Sequence, residues 1–261
     1  MITAGVDIGA KYVKVVVLKD KQPISKVRGT VGFDVAKSAL DAFEQALKGA
    51  GITRGDVERV FATGMGRKAV HLKPPINADE AVPEVVADAA GVIHVVPTAR
   101  TVIDVGAEEG RGVKVDPTGK VKDFVINERC AAGAGTFVEA MARALEVPLE
   151  QMGPLSLKSQ RTIPMNAQCT IFAESEVVSL IHAKVSKEDI ARAIHDAMAG
   201  RIGSMVRRIG IEKDVVLVGG VGNNVGFVAS LKRELGVDII VPEGPEYISA
   251  LGAALIASSK A

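Results

Sequence analysis

Cysteine is scarce in this sequence, with two residues among 261, Cys130 and Cys169. Two thiols cannot build a disulfide framework, and a reducing compartment disfavours even one structural bridge, so their presence needs another explanation. An excess of charge of one sign is also missing, since 32 basic and 31 acidic side chains leave a formal net charge of +1. No broad field is available to concentrate nucleic acid or an anionic membrane, and neither is expected as a partner. No uninterrupted apolar stretch reaches the roughly 18 residues that a membrane-spanning helix requires. The opening run Met1-Ile2-Thr3-Ala4-Gly5-Val6-Asp7 puts a carboxylate where a signal peptide carries its apolar segment, so a cytoplasmic location is expected. Low-complexity tracts and a long flexible linker are absent as well, which predicts lobes joined by short crossovers.

What is present is an ordinary globular composition, 48% hydrophobic and 24% charged, in a length that suits two lobes. Residues 4–18 read as a strand, a tight glycine-containing turn and a second strand in which Val13, Val15 and Val17 alternate at period two. Asp20-Lys21 then turns the chain. Residues 102–126 repeat the plan, with Val102 to Gly106, then Val113 and Val115, an Asp116-Pro117-Thr118-Gly119 turn, and a strand over 121–126. The echo of Asp7-x-Gly9 in Asp104-x-Gly106 predicts a duplicated three-stranded meander opening each of two α/β lobes, 1–98 and 99–261. Helical patterns cover 35–48, closed by Gly49 and Gly51, and roughly 131–145, 170–184 and 187–209. A small-residue helix over 248–258 is expected to pack back on the first lobe. Further strands are expected over 57–62, 92–96 and 215–218.

Each Asp-x-Gly turn can present backbone N–H groups to a shared cleft while its carboxylate holds hydrated Mg2+ near phosphates. A single such turn is a common hairpin, but two at equivalent positions point to a nucleotide cleft. The strand 215–218 runs into Gly219-Gly220-Val221-Gly222-Asn223-Asn224, where the missing Cβ atoms let a nucleoside approach the backbone. Cys130 and Cys169 each precede a helical segment. Unpaired N–H groups and about half a positive charge there lower a thiolate pKa and stabilise an anionic cluster. On spacing alone the plainer reading is two small buried hydrophobes. Glu128, Glu174 and Glu176 read as helix-terminal carboxylates, and His71, His94, His182 and His195 lack a metal-ligand spacing.

In their order, the two Asp-x-Gly turns and the glycine-rich turn resemble the phosphate-1, phosphate-2 and adenosine motifs of the family that includes actin, sugar kinases and Hsp70-type chaperones. The resemblance implies a two-lobed, ribonuclease H-like α/β ATPase fold. The stretches 127–135 and 166–176 resemble the cluster-binding segments of the ATPases that activate 2-hydroxyacyl-CoA dehydratases and drive benzoyl-CoA reductase, the BadF/BadG/BcrA/BcrD type. The likeness covers nearly the whole chain, and the loop 106–111 looks most like the delta-type ATPase subunit of ATP-dependent benzoyl-CoA reductase.

That resemblance implies ATP or ADP with Mg2+ in the cleft. Asp7 and Asp104 would serve Mg2+ through water, Gly9, Lys11, Gly106 and Ala107 would line the phosphates, and Gly219, Gly220 and Asn223 would approach the adenosine. It also implies a 4Fe-4S cluster ligated by Cys130 and Cys169, with the remaining ligands from a homologous subunit, identical or not. Reduced ferredoxin would be the electron donor and a catalytic component reducing benzoyl-CoA the acceptor. The alternatives are a homodimeric activator of a 2-hydroxyacyl-CoA dehydratase, a small-molecule kinase without iron, and a non-catalytic nucleotide-binding scaffold. Ala10 and Lys11 stand where many relatives carry hydroxyls, and Glu108-Glu109 stands where close activators carry Gln-Asp. Glu108 is the candidate to orient water as a base, yet it repels phosphate unless a metal or Lys11 intervenes, so slow hydrolysis is expected of this subunit.

Overall fold

The computed structural model describes residues 1–127, 134–165 and 169–260. Its first hairpin joins β1 (Ile2–Ile8) to β2 (Tyr12–Lys19), antiparallel, with Asp7 opposite Lys14. Asp20 and Lys21 take φ of 50° and 65°, the two consecutive positive values of a tight hairpin turn, and feed β3 (Gln22–Thr30). β4 (Arg59–Thr63) and β5 (Glu80–Ala81) extend the sheet in parallel on the other side of β1, giving the order β3-β2-β1-β4-β5. The second sheet repeats this plan. β6 (Thr101–Val105), β7 (Gly110–Val115) and β8 (Val121–Asn127) form the meander, and β9 (Val215–Val218) and β10 (Ile239–Ile240) add in parallel, in the order β10-β9-β6-β7-β8. Identical strand order and direction in the two sheets is the duplication that the Asp-x-Gly echo predicts.

On the first sheet, α1 (Val35–Ala50) starts where the Asp34 side chain accepts from the Lys37 N–H and stops at Gly51 in the left-handed region, φ 67°. Its apolar stripe, Ala39, Ala42, Phe43, Ala46 and Leu47, is buried. The second lobe is thicker. α3 (Gly135–Ala144), α4 (Leu149–Ser156), α5 (Thr170–His182), α6 (Lys187–Val206) and α7 (Val225–Leu235) share a core containing Phe137, Met141, Leu145, Met152, Ile190, Ile194, Met198 and Phe227.

Two helices lie between the sheets. α8 (Ile248–Ser259) packs on β1, β2 and β4, whereas α2 (Glu84–Val95) packs on β6, β7 and β8, and the two helices pack on each other. Their backbones nearly touch, since a Cβ built on Gly252 would stand 1.8 Å from the Ala87 carbonyl oxygen. This crossing corrects one expectation, because residues 92–95 form the last turn of α2 rather than a strand. Pro83 caps a helix that buries Val85, Ala87, Asp88, Ala89, Gly91 and Val92, and packing against α8 overrides the β preference of its valines. α4 also escapes the sequence pattern because it contains Gly153 and Pro154. α6 ends at Val206, and one tight turn over 207–209 completes the helical stretch expected to 209. Among the described residues no helix is long and apolar enough to cross a membrane.

Candidate functional site

The two hairpins carry the same acid–base pair. The base follows the acid at one spacing, 7 to 14 and 104 to 111, which places each pair directly opposite across its ladder. Lys14 Nζ lies 2.6 Å from Asp7 Oδ2, and Arg111 Nη1 lies 2.7 Å from Asp104 Oδ2. The turns match too, for the Gly9 N–H donates to the Tyr12 carbonyl at 3.0 Å and the Gly106 N–H to the Glu109 carbonyl at 2.8 Å. β4 and β9 then run into Gly64 and Gly219, with φ of 86° and 85°. A Cβ would stand 2.5 Å from Asp7 Oδ1 at the first glycine and 2.2 Å from Asp104 Oδ1 at the second, so each carboxylate is seated against bare backbone.

The hairpins face one another across a cleft of about 620 Å3. Asp7, Gly9 and Lys11 line it from the first lobe, Asp104, Gly106, Ala107 and Glu108 from the second, and Gly219, Gly220 and Asn223 toward the glycine-rich turn. Asn223 Nδ2 donates to Glu246 Oε2 at 2.9 Å, and the Gly219 N–H donates to the Pro245 carbonyl at 2.9 Å, which ties this turn to the start of α8. Leu149, Pro154 and Val225 add apolar lining. Glu108 is exposed at the cleft, and Lys11 does not shield it. Instead Lys11 Nζ donates to both carboxylate oxygens of Glu139 on α3, at 2.8 and 2.7 Å.

Arg111 is the electrostatic centre of the cleft floor. Its guanidinium, 8% exposed, meets Asp104 at 2.7 Å, Glu109 at 2.9 Å, Glu84 at 3.1 Å and Asp88 at 3.5 Å. Asp88 is fully buried; Oδ1 accepts from Ser249 Oγ at 2.6 Å, while Oδ2 has no hydrogen-bond partner among the described residues. Burial holds the Asp88 carboxyl well above the usual range, the charge of Asp104 adds to this, and Arg111 opposes it. Burial likewise raises Asp104 and Glu84 against the pull of Arg111. For Lys14 burial favours the neutral amine, but the charge and hydrogen bond of Asp7 help outweigh it and the pKa ends above its ordinary value. Sequence reasoning missed Lys14 and Arg111, although their equal spacing from the two aspartates was a usable signal. Glu84, Asp88 and Glu139 gave none, since their place in the site arises from helix packing.

Behind the glycine-rich turn, the buried His195 ring lies 2.7 Å from the Ala191 carbonyl through Nδ1 and 2.9 Å from Asn224 Nδ2 through Nε2. The Asn224 Oδ1 in turn caps α7 by accepting from the Gly226 and Phe227 N–H groups. Burial pushes His195 down to about 4, so it is a neutral structural brace.

Cys169 is the N-cap of α5, half-buried and extended at φ −142°. A sulfur at the start of this 13-residue helix stands beside the unpaired N–H groups of its first turn, which suits an anionic cluster and fits the donor chemistry of an iron–sulfur ligand. Ile171 and Phe172 beside it are 72% and 71% exposed, and Glu174 and Glu176 follow on the same helix. Cys130 and Glu128 lie outside the described residues. Among the described residues no three or more His, Cys, Asp or Glu side chains form a metal cage. The two aspartates facing the cleft suit a hydrated Mg2+ that takes most of its oxygen ligands from water and phosphate.

The family model for the BadF/BadG/BcrA/BcrD ATPase family matches residues 4–257. The chain is 38% identical to the 2-hydroxyisocaproyl-CoA dehydratase activator of Clostridioides difficile, over 100% of this chain and 96% of that protein. It is 31% identical to one of the subunits of benzoyl-CoA reductase from Thauera aromatica, over 97% of this chain and 92% of that protein. The solved structure of the Clostridium difficile activator with bound ADPNP superposes with a TM-score of 0.93 at 36% identity, covering 100% of this chain and 95% of that one. A ROK family glucokinase from Streptomyces griseus superposes with a TM-score of 0.58 at 18% identity, covering 99% of this chain and 100% of that one, a likeness of fold alone.

Proposed function

The chain belongs to the BadF/BadG/BcrA/BcrD ATPase family, and from that premise we propose that it is an ATP-driven electron activator of an acyl-CoA-transforming enzyme. The observation that carries the reading is the join between the phosphate turn and the helix that follows the Cys130 segment. The Gly135 N–H donates to the Gly106 carbonyl and the Thr136 N–H to the Ala107 carbonyl, both at 2.9 Å. α3 in turn packs on α5, whose N-cap is Cys169. A shift of the 106–107 turn on nucleotide binding therefore pulls α3 and, through it, the helix that starts at Cys169.

Within the cleft, Lys14 and Arg111 counter the charge of Asp7 and Asp104, which lets phosphates approach two carboxylates without unopposed repulsion. Asp7 and Asp104 hold Mg2+ through water, and the N–H groups of the Gly9 and Gly106–Ala107 turns line the phosphates. Gly219, Gly220 and Asn223 take the adenosine, and Glu108 orients water. Cys169, with Cys130, holds a 4Fe-4S cluster shared with a homologous subunit, and that group supplies one-electron chemistry tuned by hydrogen bonding and exposure at its sulfurs. The reading places the pair in the cytoplasm with ferredoxin as donor.

The identities, 38% to a dehydratase activator and 31% to a benzoyl-CoA reductase component, favour a 2-hydroxyacyl-CoA dehydratase as the acceptor over the benzoyl-CoA-reducing component expected from the 106–111 loop. The test is activation. Anaerobic, dithionite-reduced protein is mixed with a 2-hydroxyacyl-CoA dehydratase and with a benzoyl-CoA-reducing component, with ATP or ADP. Dehydratase activity that appears with ATP alone is expected. Turnover of only the benzoyl-CoA component moves the acceptor to the second reading, and ATP-dependent phosphorylation of an added sugar without either activity contradicts both.

A further inference from the structure

The cleft contains one contact that neither the nucleotide motifs nor the cluster segments account for. Lys11 sits in the β1–β2 turn of the first lobe and Glu139 on α3 of the second, 128 residues apart, yet ammonium and carboxylate form a two-oxygen pair across the cleft. The two side chains are 39% and 23% exposed, so the pair remains within reach of solvent and of an incoming ligand. Lys14 is already engaged by the aspartate of its own hairpin and Arg111 by four carboxylates on the cleft floor, whereas Lys11 pairs with Glu139 on the facing lobe. Resting on the ATP-cleft reading above, we propose that Lys11–Glu139 is an inter-lobe latch that nucleotide phosphate opens, releasing α3.

The exchange follows from charge. A triphosphate carries several negative charges into a cleft where Lys11 meets a single carboxylate, so the ammonium gains by leaving Glu139 for a phosphate oxygen. Glu139 is then an unpaired anion beside the phosphates, and repulsion drives α3 away from them. The α3 N-terminus is bonded to the Gly106 and Ala107 carbonyls, so the same event displaces the phosphate turn and the packing of α3 on α5. A partly exposed ion pair is worth no more than about a fivefold factor in an equilibrium, which makes it a bias that nucleotide overcomes rather than a block.

The test is the affinity of wild type, Glu139→Gln and Lys11→Met for ADPNP by calorimetry, with amide exchange of residues 135–144 followed in each. The latch predicts that Glu139→Gln binds about three- to fivefold tighter than wild type, because Lys11 is released beforehand, and that Lys11→Met binds more weakly. It also predicts that ADPNP speeds exchange in the first turns of α3 in wild type, and that both variants show the faster exchange without nucleotide. Equal or weaker binding by Glu139→Gln overturns the latch, since Glu139 then merely orients Lys11 or does nothing. If wild type binds ADPNP and the variant arm fails, the latch alone falls. If wild type binds no nucleotide, the cleft reading falls with it.

Discussion

Replacing Arg111 by leucine is expected to destabilise the chain by about 3–5 kcal/mol and to abolish nucleotide binding. One guanidinium serves Asp104, Glu109, Glu84 and Asp88. Its loss strips the buried Asp88 and Asp104 of their ion pair with it and leaves Glu84 the more distant Arg67, at 3.8 Å. The effect has a pH signature. Asp88, Asp104 and Glu84 already lie above their ordinary values, chiefly through burial, so they bind protons more tightly folded than unfolded. The stability they contribute is fully present below the unfolded carboxylate range, about 4, and is lost as pH rises through the higher folded values. Without Arg111 those folded values rise further, and the deficit of the variant against wild type grows as pH rises. The depressed value of His195, about 4, works in the other direction, removing stability as pH falls below its unfolded value near 6.5, but it does so in both proteins and cancels in the difference. Urea unfolding of both proteins at pH 5 and 7.5 measures this, with the larger gap expected at pH 7.5. A gap under about 1 kcal/mol, or one that widens in acid, contradicts the arrangement. Arg111→Lys restores the charge but not the fork that reaches four carboxylates, so only partial recovery is expected.

Gly252→Ala is the second large effect. Its new methyl group would stand 1.8 Å from the Ala87 carbonyl oxygen, so α8 and α2 must move apart. These helices carry the contact between the lobes, and the Ser249–Asp88 hydrogen bond of 2.6 Å lies one helical turn away. Separation therefore loosens both sheets' inner packing and removes the hydroxyl donor to the buried Asp88. A cost of about 3 kcal/mol or more is expected, lowering Tm by about 6–12 °C in a chain of this size. Gly200→Ala is the control. A Cβ there meets no atom of the described residues within 4 Å, and alanine in the interior of α6 is expected to leave Tm unchanged or raise it. Calorimetric melting within about 2 °C of wild type for Gly252→Ala contradicts the close crossing.

The parts of the molecule that were legible in the sequence are those fixed by local rules. Alternating valines and the Asp-x-Gly turns announced both hairpins, Asp20-Lys21 announced the connection from β2 to β3, and Gly51 announced the end of α1. The glycine-rich turn after β9 was legible because strand and turn residues adjoin. What escaped was set at long range. The segment 92–95 is helical because α8, more than 150 residues on, covers it; Asp88 and Ser249 are 161 apart in sequence. The family resemblance placed Lys11 among the expected phosphate-lining residues, but nothing in its sequence surroundings announced Glu139 on a facing helix. Arg111 sat in plain view at the spacing that Lys14 keeps from Asp7, and only the hairpin register revealed that the spacing pairs charges.

The most direct measurement of the central claim is iron, sulfide and EPR analysis of anaerobically purified protein, with Cys130→Ala and Cys169→Ala beside it and the native mass determined. A shared cluster predicts about four irons and four sulfides per dimer, lost with either substitution. An iron-free monomer that still binds ATP, or iron that survives Cys169→Ala unchanged, contradicts it.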